Sequence, residues 1–315
     1  MTQATQQTAP AGAQARPASV GRKGPRVFLD MDQLELDDAY NQAKHAPNMA
    51  QILARFASNS ALTRTRLGDP RRLAYGGAPI EQFDLFAASV PNAPIFVFIH
   101  GGAWQRGEAM NNAFPAELFV GAGAHFAALD FDNVVTTQGD LMPMADQVRR
   151  AVAWIFRNAA SFDADPHRLY VGGHSSGAHL AGVVLTTDWA SDFGLPADLV
   201  KGGLLSSGMY DLDPVRLSSR SDYVRLTDAA VEALSPQRHV DRLTCPIAVT
   251  CGTLETPEFQ RQARDFFAAA KSAGKPAELI VADSYNHFEI LETLASPYGL
   301  LGHAALALMN LDGRK

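Results

Sequence analysis

The chain has 315 residues, 47% of them hydrophobic and 19% charged, with a formal net charge of −6. That composition belongs to a folded globular protein, and the length admits one large domain or two small ones. The acidic balance and the lack of any Lys/Arg run give nucleic acid no footing, and no stretch approaches the roughly 18 apolar residues of a membrane span.

Residues 1–25 are rich in Ala, Gln, Thr and Pro and contain no apolar block. They read as a disordered tail without the apolar core of a secretory signal, leaving 26–315 as a single domain. Residues 37–67 carry helical spacing, with Ala39, Ala43, Ile52, Leu53, Phe56, Ala57 and Leu62 apolar and Pro47 interrupting. Two helices are expected, forming an N-terminal helical segment over 35–67 near the entrance to the site. Short β-like runs follow at 72–75 and 80–87, punctuated by Gly76-Gly77.

From residue 94 the pattern changes. The run 94–99 is continuously apolar, as in a parallel strand covered on both faces. Similar runs occur at 125–129, 169–171, 204–205, 247–250 and 279–282. Helical stretches separate them. The clearest is 143–160, where Met144, Val148, Ala151, Val152, Ile155 and Ala159 make one stripe, and 257–273 is another. Strand–helix alternation implies an α/β fold: a mostly parallel central sheet flanked by helices, with right-handed crossovers. Residues 211–243 form a mixed insertion expected to border the site. Cys245 and Cys251 sit in or beside one apolar run and read as buried free thiols in a reducing compartment, hence a cytoplasmic location.

The chemistry-bearing residues follow strand ends. His100-Gly101-Gly102-Ala103-Trp104 comes after the run ending at Ile99. Glycines there let backbone N–H groups approach a substrate oxygen, so Gly102 and Ala103 are the expected oxyanion donors, with Gly101 the substitute for Ala103. His100 reads as a brace for this loop, and Trp104 either lines the substrate pocket or packs. Next, Gly173-His174-Ser175-Ser176-Gly177 lies between the strand ending at Val171 and the helical stretch from Ala178. A G-x-S-x-G between strand and helix describes a nucleophile elbow: the turn is so tight that only small residues fit two before and two after the serine. Ser175 is the expected nucleophile, the Ser176 N–H joins the oxyanion hole, and His174 lies beside the pocket.

A serine hydroxyl needs a base, and in this chain order the acid and then the histidine come later. His287 follows the run 279–282 after a short loop. The acid is expected after the preceding strand, where Gly252-Thr253-Leu254-Glu255 sets a carboxylate at the same sheet edge to orient the imidazole. Glu258 competes, although acids in a first helical turn also favour the helix dipole. Asp211 is a more distant candidate. No convergence of His, Cys and carboxylates suggests a metal, and the glycines do not make a dinucleotide fingerprint, so neither metal nor cofactor is expected.

Taken together, His100-Gly101-Gly102, Asp165-Pro166-His167-Arg168-Leu169, the elbow and Asn286-His287-Phe288 resemble the α/β-hydrolase family from about Arg72 onward. His100 to Trp104, Thr256-Pro257-Glu258-Phe259 and His287 to Glu292 resemble its kynurenine formamidase (arylformamidase) and carboxylesterase branch. The resemblance implies an α/β-hydrolase fold and hydrolysis of N-formyl arylamines or of aryl and short-acyl esters. It also implies a triad of Ser175, the acid just before the Thr-Pro-Glu-Phe motif, and His287, which favours Glu255. The chain departs from that branch at Ala103, where Tyr is usual, and at Glu255, where Asp is usual. The expectation is therefore a serine hydrolase acting on a small-molecule ester or small amide, the alternative being a non-catalytic ligand-binding protein on the same scaffold. The sequence leaves the oligomeric state open, a homodimer included.

Overall fold

The computed structural model describes residues 23–313. The expected tail lies outside them up to residue 22. Its last residues are tied down: Lys23 pairs with Glu35, and the Gly24 N–H donates to the Asp32 carboxylate at 2.7 Å.

Among the described residues, eight strands form one sheet: β1 (Arg71–Ala74), β2 (Gln82–Phe86), β3 (Ala93–Ile99), β4 (His125–Leu129), β5 (Ala164–His174), β6 (Val200–Ser206), β7 (Ile247–Gly252) and β8 (Ala277–Ala282). Their order is β1-β2-β4-β3-β5-β6-β7-β8. The β1–β2 and β2–β4 pairs are antiparallel and every other pair is parallel. This is the α/β-hydrolase architecture, with antiparallel strands at one edge of an otherwise parallel sheet.

The continuous apolar runs have a direct physical cause. Side chains alternate across a strand, so a strand covered on both faces needs apolar residues at every position. On β3, Ile95, Val97 and Ile99 enter one core while Phe96 and Phe98 enter the other. On β4, Leu129 joins the first core and Phe126 the second; on β5, Val171 and Tyr170 divide in the same way. Each such side chain, fully buried, contributes about 1.5–3 kcal/mol.

Among the described residues, twelve α-helices cover the faces. At the N-terminus α1 (Gln33–Ala39), α2 (Gln42–His45) and α3 (Met49–Leu67) replace the two helices expected. The first begins four residues before the apolar spacing starts, because Asp32 and Glu35 form a capping box: each side chain accepts from the other's backbone N–H, at 3.0 and 2.9 Å. On the first core face lie α5 (Met142–Asn158), whose stripe runs from Met144 to Ile155, the elbow helix α6 (Ser176–Leu185), and α10 (Pro257–Ser272). The other face is covered by α3, by α4 (Ala116–Gly121) and by α12 (Leu300–Leu308). Short α7 (Trp189–Phe193) precedes β6, α8 (Asp213–Leu217) and α9 (Asp228–Leu234) lie in the stretch 211–243, and α11 (Glu289–Glu292) follows the His287 loop. No helix among the described residues is long and apolar enough to cross a membrane.

Candidate active site

Parallel strands deliver their C-terminal ends to one edge of the sheet. The loops after β3, β5, β7 and β8 meet there, bringing His100 to Trp104, Ser175, Glu255 and His287 together.

Ser175 sits at φ 58° and ψ −125°, a conformation that a non-glycine residue holds only under constraint. The constraint comes from its neighbours. A Cβ on Gly173 would lie 2.3 Å from the Gly177 carbonyl oxygen, and one on Gly177 would lie 2.0 Å from that of Ile99. Only hydrogen at both positions lets β5 turn into α6 this sharply and pass beneath the loop after β3. The Ser175 N–H is tied to the Ser206 carbonyl at 2.9 Å, fixing the turn to β6.

His287 Nε2 lies 2.9 Å from Ser175 Oγ, and its Nδ1 lies 2.9 Å from Glu255 Oε2. With the carboxylate accepting from Nδ1–H, Nε2 carries the lone pair that accepts from the serine hydroxyl. All three residues are buried, at 7, 3 and 3% exposure for Ser175, His287 and Glu255. The other Glu255 oxygen accepts from Ser207 Oγ at 2.6 Å and from the Gly252 N–H at 2.7 Å. Three donors thus satisfy a carboxylate with almost no access to water.

The competing carboxylates have other partners. Glu258 accepts from Tyr40 Oη at 2.9 Å and from Arg261 at 2.6 and 2.8 Å. The Asp211 carboxylate caps its own turn through the Asp213 N–H.

In the loop after β3, Gly102, Ala103 and Trp104 all have positive φ, at 124°, 56° and 60°. The Gly102 and Ala103 N–H groups make no hydrogen bond to any described residue. Ser176 opens α6, where a first-turn N–H has no intrahelical partner. The Trp104 N–H is spent on Ser176 Oγ at 3.2 Å, tying this loop to the elbow.

Trp104 and His174, expected beside the pocket, are both turned into the protein. The Trp104 indole N–H donates to His179 Nδ1 at 3.2 Å, and His179 Nε2–H donates to the Leu234 carbonyl at 2.7 Å. His174 Nε2–H donates to the His287 carbonyl at 2.6 Å, with the two rings 4.7 Å apart. Both histidines are held neutral. Burial pushes His179 down to about 4, and burial, reinforced by His287, pushes His174 well below the usual histidine range. His100 Nδ1 lies 2.9 Å from the Gly101 carbonyl and its ring stacks on Phe131, a brace for the loop. Burial lowers its pKa too. Among the described residues no three His, Cys, Asp or Glu side chains are grouped to hold a metal ion.

The BD-FAE family matches residues 84–198 of the chain. The kynurenine formamidase of Danio rerio is 30% identical over 298 residues, covering 89% of this chain and 97% of that protein. The chain belongs to the kynurenine formamidase branch of the α/β-hydrolase family. The Salmo salar kynurenine formamidase is 28% identical, with 84% and 92% covered. Among solved structures, a protein of Silicibacter sp. TM1040 superposes with a TM-score of 0.75 at 25% identity, covering 88% of this chain and 99% of its own. An esterase of Pyrobaculum calidifontis shares the fold at a TM-score of 0.65 and 17% identity, covering 86% and 95%. Family membership makes the chain a hydrolase.

Proposed function

We propose that the chain is a serine hydrolase that cleaves a small carboxylic ester or a small formyl or aryl amide through an acyl-enzyme. The observation that carries this reading is the unbroken line of hydrogen bonds from Ser175 Oγ through the His287 imidazole to Glu255, 2.9 Å at each step.

In acylation, Ser175 Oγ bonds to the carbonyl carbon as His287 Nε2 takes the hydroxyl proton. Glu255 stabilises the imidazolium without taking a proton itself. Negative charge develops on the carbonyl oxygen, where the Gly102, Ala103 and Ser176 N–H groups are free to donate. The intermediate collapses as His287 passes its proton to the departing alcohol or amine, leaving the acyl group on Ser175. Water then repeats the sequence: its oxygen bonds to the acyl carbon as His287 takes its proton, the acyl–oxygen bond to Ser175 breaks, and His287 returns the proton to Ser175 Oγ as the acid departs. No step calls on a metal or organic cofactor.

The substrate class is supported by the kinship with kynurenine formamidases across most of both chains. Labelling by a fluorophosphonate tests the mechanism, since the reagent bonds only to an activated serine. Wild type labels and Ser175→Ala does not. A panel of aryl acetates, aryl formates, N-formylkynurenine and arylcarbamates then ranks ester against amide by kcat/KM. Full labelling of Ser175→Ala, or none of wild type, overturns the reading.

A further inference from the structure

The N-terminal helices touch the site without supplying any group to its chemistry. Gln42 and Asn48, from this segment, reach two loops of the site, the one carrying Glu255 and the one carrying His287.

At the acid loop, Gln42 of α2 is buried against Thr256, the residue after Glu255. Gln42 Nε2 donates to Thr256 Oγ1 at 3.1 Å, and the Thr256 N–H donates to Gln42 Oε1 at 3.3 Å. Thr256 stands at the N-cap of α10, yet its hydroxyl makes no cap. It donates instead to the Ala39 carbonyl at the end of α1, at 2.7 Å. A capping bond is forgone for one that joins the acid loop to the N-terminal segment.

At the base loop, Asn48 precedes α3 and meets the residues on either side of His287. Asn286 Nδ2 donates to Asn48 Oδ1 at 2.8 Å, and Asn48 Nδ2 donates to Glu289 Oε1 at 2.5 Å. The other Glu289 oxygen accepts the Asn286 N–H at 3.1 Å. Asn286 Oδ1 accepts the Phe288 and Glu289 N–H groups, each at 3.0 Å. His287 thus sits in a turn closed by Asn286 and held from outside by both ends of the Asn48 amide. The two loops are also joined to each other, the Leu254 N–H donating to the Tyr285 carbonyl at 3.1 Å.

We infer that Gln42 and Asn48 are positioning residues: the N-terminal helical segment is a two-point clamp that sets the Glu255–His287–Ser175 alignment. The inference rests on the serine hydrolase reading above. The charged or titratable groups facing the His287 ring are Glu255 and His174. Glu289, on its own loop, is occupied by Asn48 and by the Asn286 N–H.

The test is Asn48→Ala and Gln42→Ala in the full chain, with Arg55→Ala as a control. Arg55, also on α3, makes a bidentate but exposed pair with Glu292 of α11, so it docks the same helices without touching the turn. Both clamp variants should lower kcat about 10–100-fold, the scale of a small misalignment, with KM within about twofold. Fluorophosphonate labelling should slow by a similar factor yet reach the wild-type endpoint, which counts folded active serines. Arg55→Ala should change none of these. The clamp is overturned if the variants keep wild-type kcat, if the labelling endpoint falls in step with the rate, or if Arg55→Ala reproduces their behaviour. Loss of labelling in wild type would instead sink the serine hydrolase reading.

Discussion

Ser207 Oγ donates a 2.6 Å hydrogen bond to the Glu255 oxygen that His287 does not use. The contact bears on the glutamate itself. Its arm is one methylene longer than the aspartate usual in this branch, with one more torsion to fix. Ser207 and the Gly252 N–H grip one oxygen, so the other is left facing Nδ1. Removing a hydrogen bond to a buried carboxylate costs about 1.5–3 kcal/mol. Ser207→Ala is expected to lower kcat roughly tenfold with little change in KM, read from steady-state kinetics on an aryl ester. An unchanged kcat would show that Gly252 alone suffices.

Replacing the serine separates chemistry from fold. Ser175→Ala should reduce kcat by roughly 10⁴–10⁶. Its thermal midpoint should stay near that of wild type, because the elbow is imposed by Gly173 and Gly177 rather than by the hydroxyl. If Ser176→Ala is the inactive variant and Ser175→Ala retains more than a tenth of the activity, the nucleophile has been misassigned.

Two neighbouring glutamates are expected to fail differently. Glu255→Gln should slow turnover strongly, since the neutral amide orients His287 poorly and cannot stabilise its charged form. Glu258→Gln should chiefly lower stability, by about 1–3 kcal/mol, because Glu258 binds Arg261 and Tyr40 out of reach of water. Parallel measurements of kcat and of the urea midpoint distinguish the two. A Glu258→Gln enzyme that is stable but inactive contradicts the assignment.

Stability should fall on acidification. His100, His174 and His179 are neutral in the fold, their pKa values lowered by burial, whereas in the unfolded chain they return to about 6.5. Below that value the unfolded state binds more protons, so the stabilisation is complete above pH 6.5 and is lost as pH falls toward the folded value, about 4 for His179. His179 alone amounts to about 3 kcal/mol across that window. Urea midpoints at pH 7.5 and pH 5 check this, and His179→Phe should flatten the difference. Equal midpoints in wild type would refute it.

His179→Phe has a second expected effect. It leaves the Trp104 indole N–H without its acceptor, beneath a loop whose Ala103 and Trp104 both sit at positive φ. Relaxation there moves the free N–H groups of Gly102 and Ala103, so kcat should drop about tenfold, with Ser175 still labelled. Full activity would mean that packing alone holds the loop.

Much of this arrangement was legible in the sequence because it is local. Doubly covered strands appear as apolar runs, and an elbow needs its glycines within five residues. β6 was visible only at Leu204-Leu205, since Lys201, Gly202 and Gly203 interrupt its run. The start of α1 carried a signal, Asp32 with Glu35 three residues on, that apolar periodicity alone passes over. Ser207 was hidden because Ser206-Ser207-Gly208 reads as an ordinary loop. Gln42 and Asn48 had no local mark at all. Their partners lie more than 200 residues away, and an amide reveals such a role only once the chain has folded.

The strand order also sets a sequence in time. Ser175 follows the central strand β5, and the base proposed for it arrives 112 residues later, after β8 at the sheet's far edge. A chain emerging from the ribosome therefore exposes its elbow well before His287 has been made, and a lone serine hydroxyl is inert toward esters. On the proposed mechanism, reactivity waits until the last strand has docked and His287 stands beside Ser175. On that mechanism, a chain lacking β8 and the His287 loop would carry an elbow without hydrolytic activity.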